Sequence, residues 1–447
     1  VTENVLKKEM GFLAALTTVI GTVIGAGVFF KATAVYGSTG SASLGLLAWF
    51  LGGIITICAG LSGAELAAAI PKTGGMMAYL KHTYGDLTAF LLGWAQTIIY
   101  FPANIAALSI IFGTQAVSIF GLSIDENKFM VMMVAAITAA FITFMNFLGA
   151  KTAGGIQTIF TICKLIPLTI LIIFGFLHKG NVDFQLFPIE AGENKTFMTA
   201  LGSGLLATMF AYDGWIHVGN IAGEMKNPKR DLPKAIVLGL SAVMVVYLLI
   251  NIAFLMVMTA NQLAGTSTPA SEVSEILFGS MGGKIVSIGI LISVFGTING
   301  YTMTGMRIPY VMARENKLPF SSWFGKLSKS GAPTNAGLFI LFIAIIMMLF
   351  GGFEVLTDML VFVIWIFYTM TFIAVVILRK REPNLNRPYK VPFYPIVLSI
   401  AIIGGIFIVF NTLLTQTMLA LYGIVLTLIG LPIYFSMRKK HIESFEE

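Results

Sequence analysis

Charge is scarce in this chain. Lys, Arg, Asp and Glu make up 11% of its 447 residues, against 57% hydrophobic residues and a mean hydropathy of +0.88. No soluble domain of this length has that balance, whereas a series of apolar spans of about twenty residues does. Cysteine is nearly absent too. Cys58 and Cys163 both fall inside apolar ranges, so no structural disulfide is expected. Four histidines (His82, His178, His217 and His441) lie scattered, without the spacing of a metal site. There is no Walker loop, which argues against ATP as a driver. No nucleophile elbow supports a hydrolytic triad. Neither an enzyme nor a cofactor is expected, and no linker is long enough to separate domains.

What is there is apolar sequence in regular blocks. Twelve ranges read as transmembrane helices: 12–35, 44–70, 87–119, 129–148, 154–177, 198–221, 233–259, 283–312, 336–351, 356–378, 394–413 and 417–436. The first lacks a small-residue cleavage site and runs into a polytopic pattern, so it reads as a span and not a signal peptide. The longest connections are 178–197 and 260–283 on one side and 314–335 and 379–395 on the other. Pro233 is expected to start the seventh helix, and Pro71–Gly75 reads as a flexible segment.

The net charge of +7 does not point to nucleic acid, because the charges are sorted by side. With an even helix count, the side that bears both termini carries 21 of the 28 lysines and arginines. The other side carries Lys31, Lys128, Lys179, Lys195 and Lys284, and Lys164 and Arg307 lie at membrane depth. The positive-inside rule places both termini in the cytoplasm of a plasma membrane, where the basic loops would touch anionic lipid.

Two ranges are interrupted by glycine. The first contains Gly21-Thr-Val-Ile-Gly-Ala-Gly27 and the sixth contains Phe210-Ala-Tyr-Asp-Gly-Trp215. A helix that opens in mid-membrane strands N–H and C=O groups that lipid cannot satisfy, so such breaks persist only where protein, water or a ligand does so. A lone Gly-xxx-Gly is more often a helix-packing device. Two breaks in corresponding halves of the chain favour a transporter site. Their spacing suits two inverted five-helix repeats, about 12–177 and 198–378. Two accessory helices (394–436) complete a single domain over 1–437, with a short tail at 438–447. The expected fold is thus an all-α polytopic membrane protein whose first and sixth helices are unwound at the midplane.

Chemistry follows from the breaks. A helix restarting after Gly25 would present the N–H groups of Ala26 and Gly27 to a carboxylate. Freed carbonyls at Val23, Ile24, Phe210, Ala211 and Asp213 would suit an ammonium. Donors for an anion beside acceptors for a cation match a zwitterionic amino acid.

On these strings the chain resembles the amino acid–polyamine–organocation superfamily, within the L-amino acid transporter family. Further matches are Glu224-Met-Lys-Asn-Pro-Lys-Arg-Asp-Leu-Pro-Lys-Ala-Ile236, Arg387-Pro-Tyr-Lys-Val-Pro392, and Gly296-Thr-Ile-Asn-Gly300 through Met312-Ala-Arg314. The likeness covers nearly the whole chain and is strongest to bacterial alanine–serine–cysteine exchangers. It implies sodium-independent exchange of small neutral L-amino acids by alternating access. A proton-coupled symporter is the competing reading. A channel or a membrane-bound enzyme or sensor finds no support in the sequence.

The resemblance also assigns roles. Lys164 would stand where sodium-coupled relatives hold a cation, bridging the first helix near Gly25 to the eighth; an ionisable residue at that depth is a functional candidate in its own right. Tyr247 would satisfy freed backbone near the sixth-helix break and link the site to Lys164. Phe210 would close over the substrate as an outer gate. Asp213 stands where relatives usually carry a small residue; it would pair with a substrate amine, pair with a lysine or cap the restarting half-helix, and the cap is preferred. Glu65 is expected at the cytoplasmic boundary. Arg307 is expected to pair on the inner half of the eighth helix as part of a closed inner gate, or to serve as a topological anchor. Asn104, Ser287, Ile298 and Trp365 are candidates for the side-chain pocket. Human relatives join a glycoprotein heavy chain through a cysteine after the third helix. Residues 119–128 contain none, so no disulfide-linked partner is expected.

Overall fold

The computed structural model describes residues 11–70, 75–148, 163–178, 185–216 and 226–446. Within them the chain is helical and has no strand. The first range divides into α1 (Phe12–Val23), α2 (Gly27–Phe30) and α3 (Ala32–Thr39). Then come α4 (Ala42–Ala69), α5 (Met76–Tyr84), α6 (Asp86–Ala95), a π-helical turn (Gln96–Tyr100), α7 (Phe101–Ile119) and α8 (Lys128–Asn146). The middle of the chain forms α9 (Leu165–Leu177), α10 (Phe197–Ala211), α11 (Pro228–Leu255), α12 (Ala260–Gly265), α13 (Pro269–Gly305), α14 (Arg307–Arg314) and α15 (Ser321–Phe324). The last third is α16 (Thr334–Phe350), α17 (Phe353–Arg381), α18 (Ile396–Thr415), α19 (Thr417–Leu428) and α20 (Gly430–Glu446).

Among the described residues, eight helices are long and apolar enough to cross a membrane, the bent first helix makes a ninth, and three shorter apolar helices accompany them. Each of these segments overlaps one of the apolar ranges. The molecule is an all-α polytopic membrane protein. The continuous run Asp86–Ile119 is its central mast, with 89% of its most apolar stretch buried, whereas α8 and α18 turn Phe129, Ile137, Phe141, Ile403 and Phe410 outward, as lipid-facing helices do.

Three boundaries differ from the sequence reading. The seventh helix begins at Pro228, not Pro233. Pro228 takes the first turn, where a missing N–H costs nothing, and Pro233 is carried inside the helix. The stretch 260–283 is largely helical and not a loop. Thr259 and Gln262 form a capping box that nucleates α12, and α13 already starts at Pro269, with a break at Gly279. The first range bends twice, at Ile24–Ala26 and again by 60° at Lys31. Segment 71–74 lies outside the described residues.

The ends of the bundle are chemically distinct. At the basic end, Arg379 donates two hydrogen bonds to Glu65 (2.8 and 2.6 Å), and the Val391 N–H donates a third (2.7 Å). Arg387 stands 3.6 Å from the same carboxylate and donates to the Leu378 and Glu382 carbonyls. Glu65 is therefore sealed into a joint between α4, α17 and the 387–391 segment, and does not face boundary water as expected. Nearby, His82 and Arg381 hydrogen-bond Glu382 and hold its carboxyl below the usual carboxylate range. At the far end, the segment before α10 straps over the end of α3. Gly192 N–H donates to the Thr39 carbonyl (2.8 Å), Ser41 Oγ to the Glu190 carbonyl (2.5 Å), and Lys195 to the carbonyls of Gly37 and Ser38.

Candidate functional site

The two breaks meet at the centre of the bundle. α1 runs from the basic end and stops at Val23, where Ile24 turns to an extended conformation (ψ 101). α10 runs from the far end and stops at Ala211. A side chain on Gly27 would stand 2.7 Å from Ala211 Cα and 3.2 Å from Phe210 Cδ1, so only hydrogen lets these backbones touch. Gly214 has φ +103, and its missing Cβ would stand 2.6 Å from the Thr22 carbonyl oxygen. Each break therefore supplies the glycine that the other packs against.

The freed backbone is only partly satisfied. The Tyr247 hydroxyl, fully buried on α11, is placed to donate to the carbonyls of both Val23 (3.0 Å) and Ala211 (2.8 Å). Lys164 donates to the Gly21 carbonyl at 2.6 Å, and Asp213 N–H turns back to the Phe210 carbonyl at 3.4 Å. The Gly25 N–H points at the Tyr247 oxygen, and among the described residues outside the helices no acceptor is found for the N–H groups of Ala26 and Gly27. A short stretch of open donors thus lies beside carbonyls already held by a phenol and an ammonium.

Several expected contacts take another form. Tyr247 joins the two breaks to each other; it makes no described hydrogen bond to Lys164. Lys164 reaches the first helix at Gly21 and not near Gly25, and none of its described hydrogen bonds goes to the eighth helix. It stands at the start of α9, and residues 149–162 before it lie outside the described set. Arg307 has no carboxylate partner among the described residues and turns back to the Met303 carbonyl. Ser287 lines a cavity of about 460 Å³ at the far end, with Ser271, Glu275 and Lys284, and no break residue borders it. Asn104, Ile298 and Trp365 are buried; Asn104 Nδ2 donates to the Tyr100 carbonyl (2.9 Å) and Trp365 meets Tyr368 edge-on at 5.7 Å.

Asp213 departs most from its expected role as a cap. Its carboxylate accepts hydrogen bonds from three phenols: Tyr100 and Tyr301 on one oxygen and Tyr368 on the other. These come from the π-helical turn, α13 and α17. A buried carboxylate tolerates loss of water only when its lone pairs are filled, and three O–H donors do that without a cation. The π turn matters here, because one extra residue in a helical turn rotates the side chains that follow. The cluster ties three helices to the sixth-helix break on its basic side. No sequence motif announces it, since the tyrosines lie far apart in the chain.

Lys31 is the other residue that sequence reasoning misplaced. Read as a lysine of the outer side, it is fully buried at the second bend of the first helix. It pairs with Glu354 and with Asp358 (3.3 Å), and donates to Thr357 Oγ (2.7 Å). Its Nζ stands 5.5 Å from the ring centre of Phe210 and 5.1 Å from that of Phe353. The signal was present in two places: a lysine inside an apolar range, and carboxylates at i and i+4 at the start of another.

Comparison with known proteins agrees with this architecture. The model of the amino acid permease family matches residues 10–437. The serine/threonine exchanger SteT of Bacillus subtilis (strain 168) is 42% identical over 440 residues, covering 98% of each chain. The b(0,+)-type amino acid transporter 1 of Mus musculus is 32% identical over 436 residues, 96% of this chain and 88% of that one. The Asc-type amino acid transporter 1 of Mus musculus is 31% identical over 438 residues, 96% of this chain and 81% of that one. With residues 10–437 matched and the first-helix break meeting the end of α10 as described, this chain belongs to the amino acid permease family of the amino acid–polyamine–organocation superfamily.

Proposed function

We propose that the protein is a sodium-independent exchanger of small neutral L-amino acids, such as serine, alanine or cysteine, working by alternating access around the two breaks. The observation that carries this reading is the pair of N–H donors at Ala26 and Gly27, next to the Gly25–Tyr247 contact and beside the end of α10. A substrate carboxylate takes those donors. The substrate ammonium takes carbonyls at Ile24 and the α10 break that Tyr247 does not hold. Phe210 covers the site on the far side, and the Asp213–tyrosine cluster covers it on the basic side. With both of its oxygens hydrogen-bonded by phenols, Asp213 is engaged by the protein and is not placed as a free partner for a basic side chain, which favours neutral ones. The names of the serine/threonine exchanger and the Asc-type transporter support the same class.

Lys164 substitutes for a coupling cation. Its ammonium holds the Gly21 carbonyl, one turn before the break, where a fixed positive charge removes the need for sodium. In this reading the helices form two inverted five-helix repeats and two accessory helices. The basic end is cytoplasmic, and the chain acts without a disulfide-linked heavy chain.

The test is labelled serine uptake into proteoliposomes without sodium, either empty or preloaded with unlabelled serine. Uptake only after preloading is expected. Equal uptake into empty vesicles, driven by a proton gradient, would replace exchange with proton symport. No uptake of any neutral amino acid under either condition would end the proposal.

A further inference from the structure

We propose that Lys31 is a positioning residue that locks the site shut at the far end, holding Phe210 over the breaks until its ion cluster opens. The inference rests on the transporter reading above and extends it to residues outside the breaks.

Lys31 lies four residues beyond Gly27, where the first helix bends by 60°. An ammonium has three protons, and all three are used, by Glu354, Thr357 and Asp358 on one face of α17. The second oxygen of Asp358 accepts from Gln416 Nε2 (2.9 Å), which anchors the cluster to the α18–α19 junction. Around the same Nζ stand the Phe210 and Phe353 rings, themselves edge-to-face at 5.7 Å. One cation thus fixes two things: where α3 departs from the break, and where the covering phenylalanine sits.

Two further features mark a joint rather than general packing. Among the described residues, Lys31 makes the only side-chain hydrogen bonds between the α2–α3 segment and α17; α3 otherwise packs on α4, α10 and α12. The cluster is also open at one edge, because the Glu354 side chain is 40% exposed while that of Lys31 is sealed. Buried ion pairs add little to stability, since desolvation offsets attraction, but they make good two-state contacts. Sealed, all partners are satisfied. Opened, water rehydrates each charge from the Glu354 edge inward. Intermediate positions leave a charge unpaired and cost the most.

The experiment is a distance measurement between spin labels in the full-length protein, reconstituted in lipid nanodiscs. Labels go on Ser38→Cys and Gly352→Cys, with Cys58 and Cys163 changed to alanine. The parent is expected to give mainly a short distance. Lys31→Met leaves two carboxylates facing each other, so a longer distance should gain at least about tenfold in relative population. Lys31→Arg should restore the short one. In serine exchange, Lys31→Met should lower the external KM and the maximal rate together, a split that mere loss of folded protein does not produce. If Lys31→Met does not fold, Glu354→Gln tests the same joint from its open edge, with the same direction expected. Unchanged distances in the variant that folds, or equal changes in Lys31→Met and Lys31→Arg, would overturn the lock. Failure of the parent to exchange any amino acid would sink the transport reading instead, and the distances would still report on the joint.

Discussion

Replacing Tyr247 with phenylalanine removes one oxygen and isolates the bridge between the two breaks. The ring is fully buried and packs edge-to-face on Trp49 at 5.5 Å and against Tyr212 at 4.9 Å. Phenylalanine keeps those contacts. What disappears is the hydroxyl shared by the Val23 and Ala211 carbonyls. Stranding a buried acceptor costs about 1–3 kcal/mol. If the bridge belongs to the closed arrangement and is broken in open ones, the variant shifts that equilibrium by about 5- to 150-fold. Two assays read this. Serine exchange in proteoliposomes should slow by about that factor, and the detergent-solubilised variant should melt below the parent. A variant with unchanged rate and unchanged melting would refute the idea that the phenol holds the breaks together. Lower melting with an unchanged rate would confine its role to structure.

Four further substitutions separate packing from function. Lys164→Ala should slow turnover more than it weakens substrate binding, because it removes the charge on the Gly21 carbonyl and not a substrate contact; an unaltered exchange rate would end the sodium-substitute reading. Gly27→Ala should cost about 1–3 kcal/mol in stability, since its Cβ would overlap Ala211, whereas Gly25→Ala meets only Thr297 Cγ2 at 3.5 Å and should fold normally. If Gly25 N–H serves the substrate carboxylate, Gly25→Ala should still raise the KM for serine, and an unchanged KM would remove Gly25 from the site. Glu65→Ala should lower thermal stability by up to about 3 kcal/mol, less than for a fully sealed pair because the Arg379 side chain keeps 21% exposure; retained melting would show the joint to be dispensable.

The two breaks were legible in the sequence because their signal is local. Glycines inside apolar ranges, Gly21, Gly25 and Gly27 in one and Gly214 in the other, can be seen without knowing what lies across from them. Tyr247 and Lys164 were legible through the family pattern, though their partners were not: Gly21 and Ala211 become acceptors only when the helices cross. The Asp213 cluster was hidden because Tyr100, Tyr301 and Tyr368 come from three helices, and one of them is set by a π turn that leaves no compositional trace. Lys31 was hidden differently. A lysine near the end of an apolar range reads as a boundary marker under the positive-inside rule, and only the fold shows Glu354 and Asp358 waiting for it. The start of α13 was missed because its polar, proline-led first turns look like a loop until Thr259 and Gln262 cap the neighbouring α12.

The strap at the far end has a mechanical consequence. Gly192, Glu190 and Lys195 grip the last turn of α3 just before the chain enters α10. A tilt of the far half of the first helix would therefore pull on the leading end of the sixth, because the two are tied at their tips as well as where the breaks meet. Force applied to either helix is shared by both, and cutting this yoke, by lengthening the 190–195 segment, would let each flex alone.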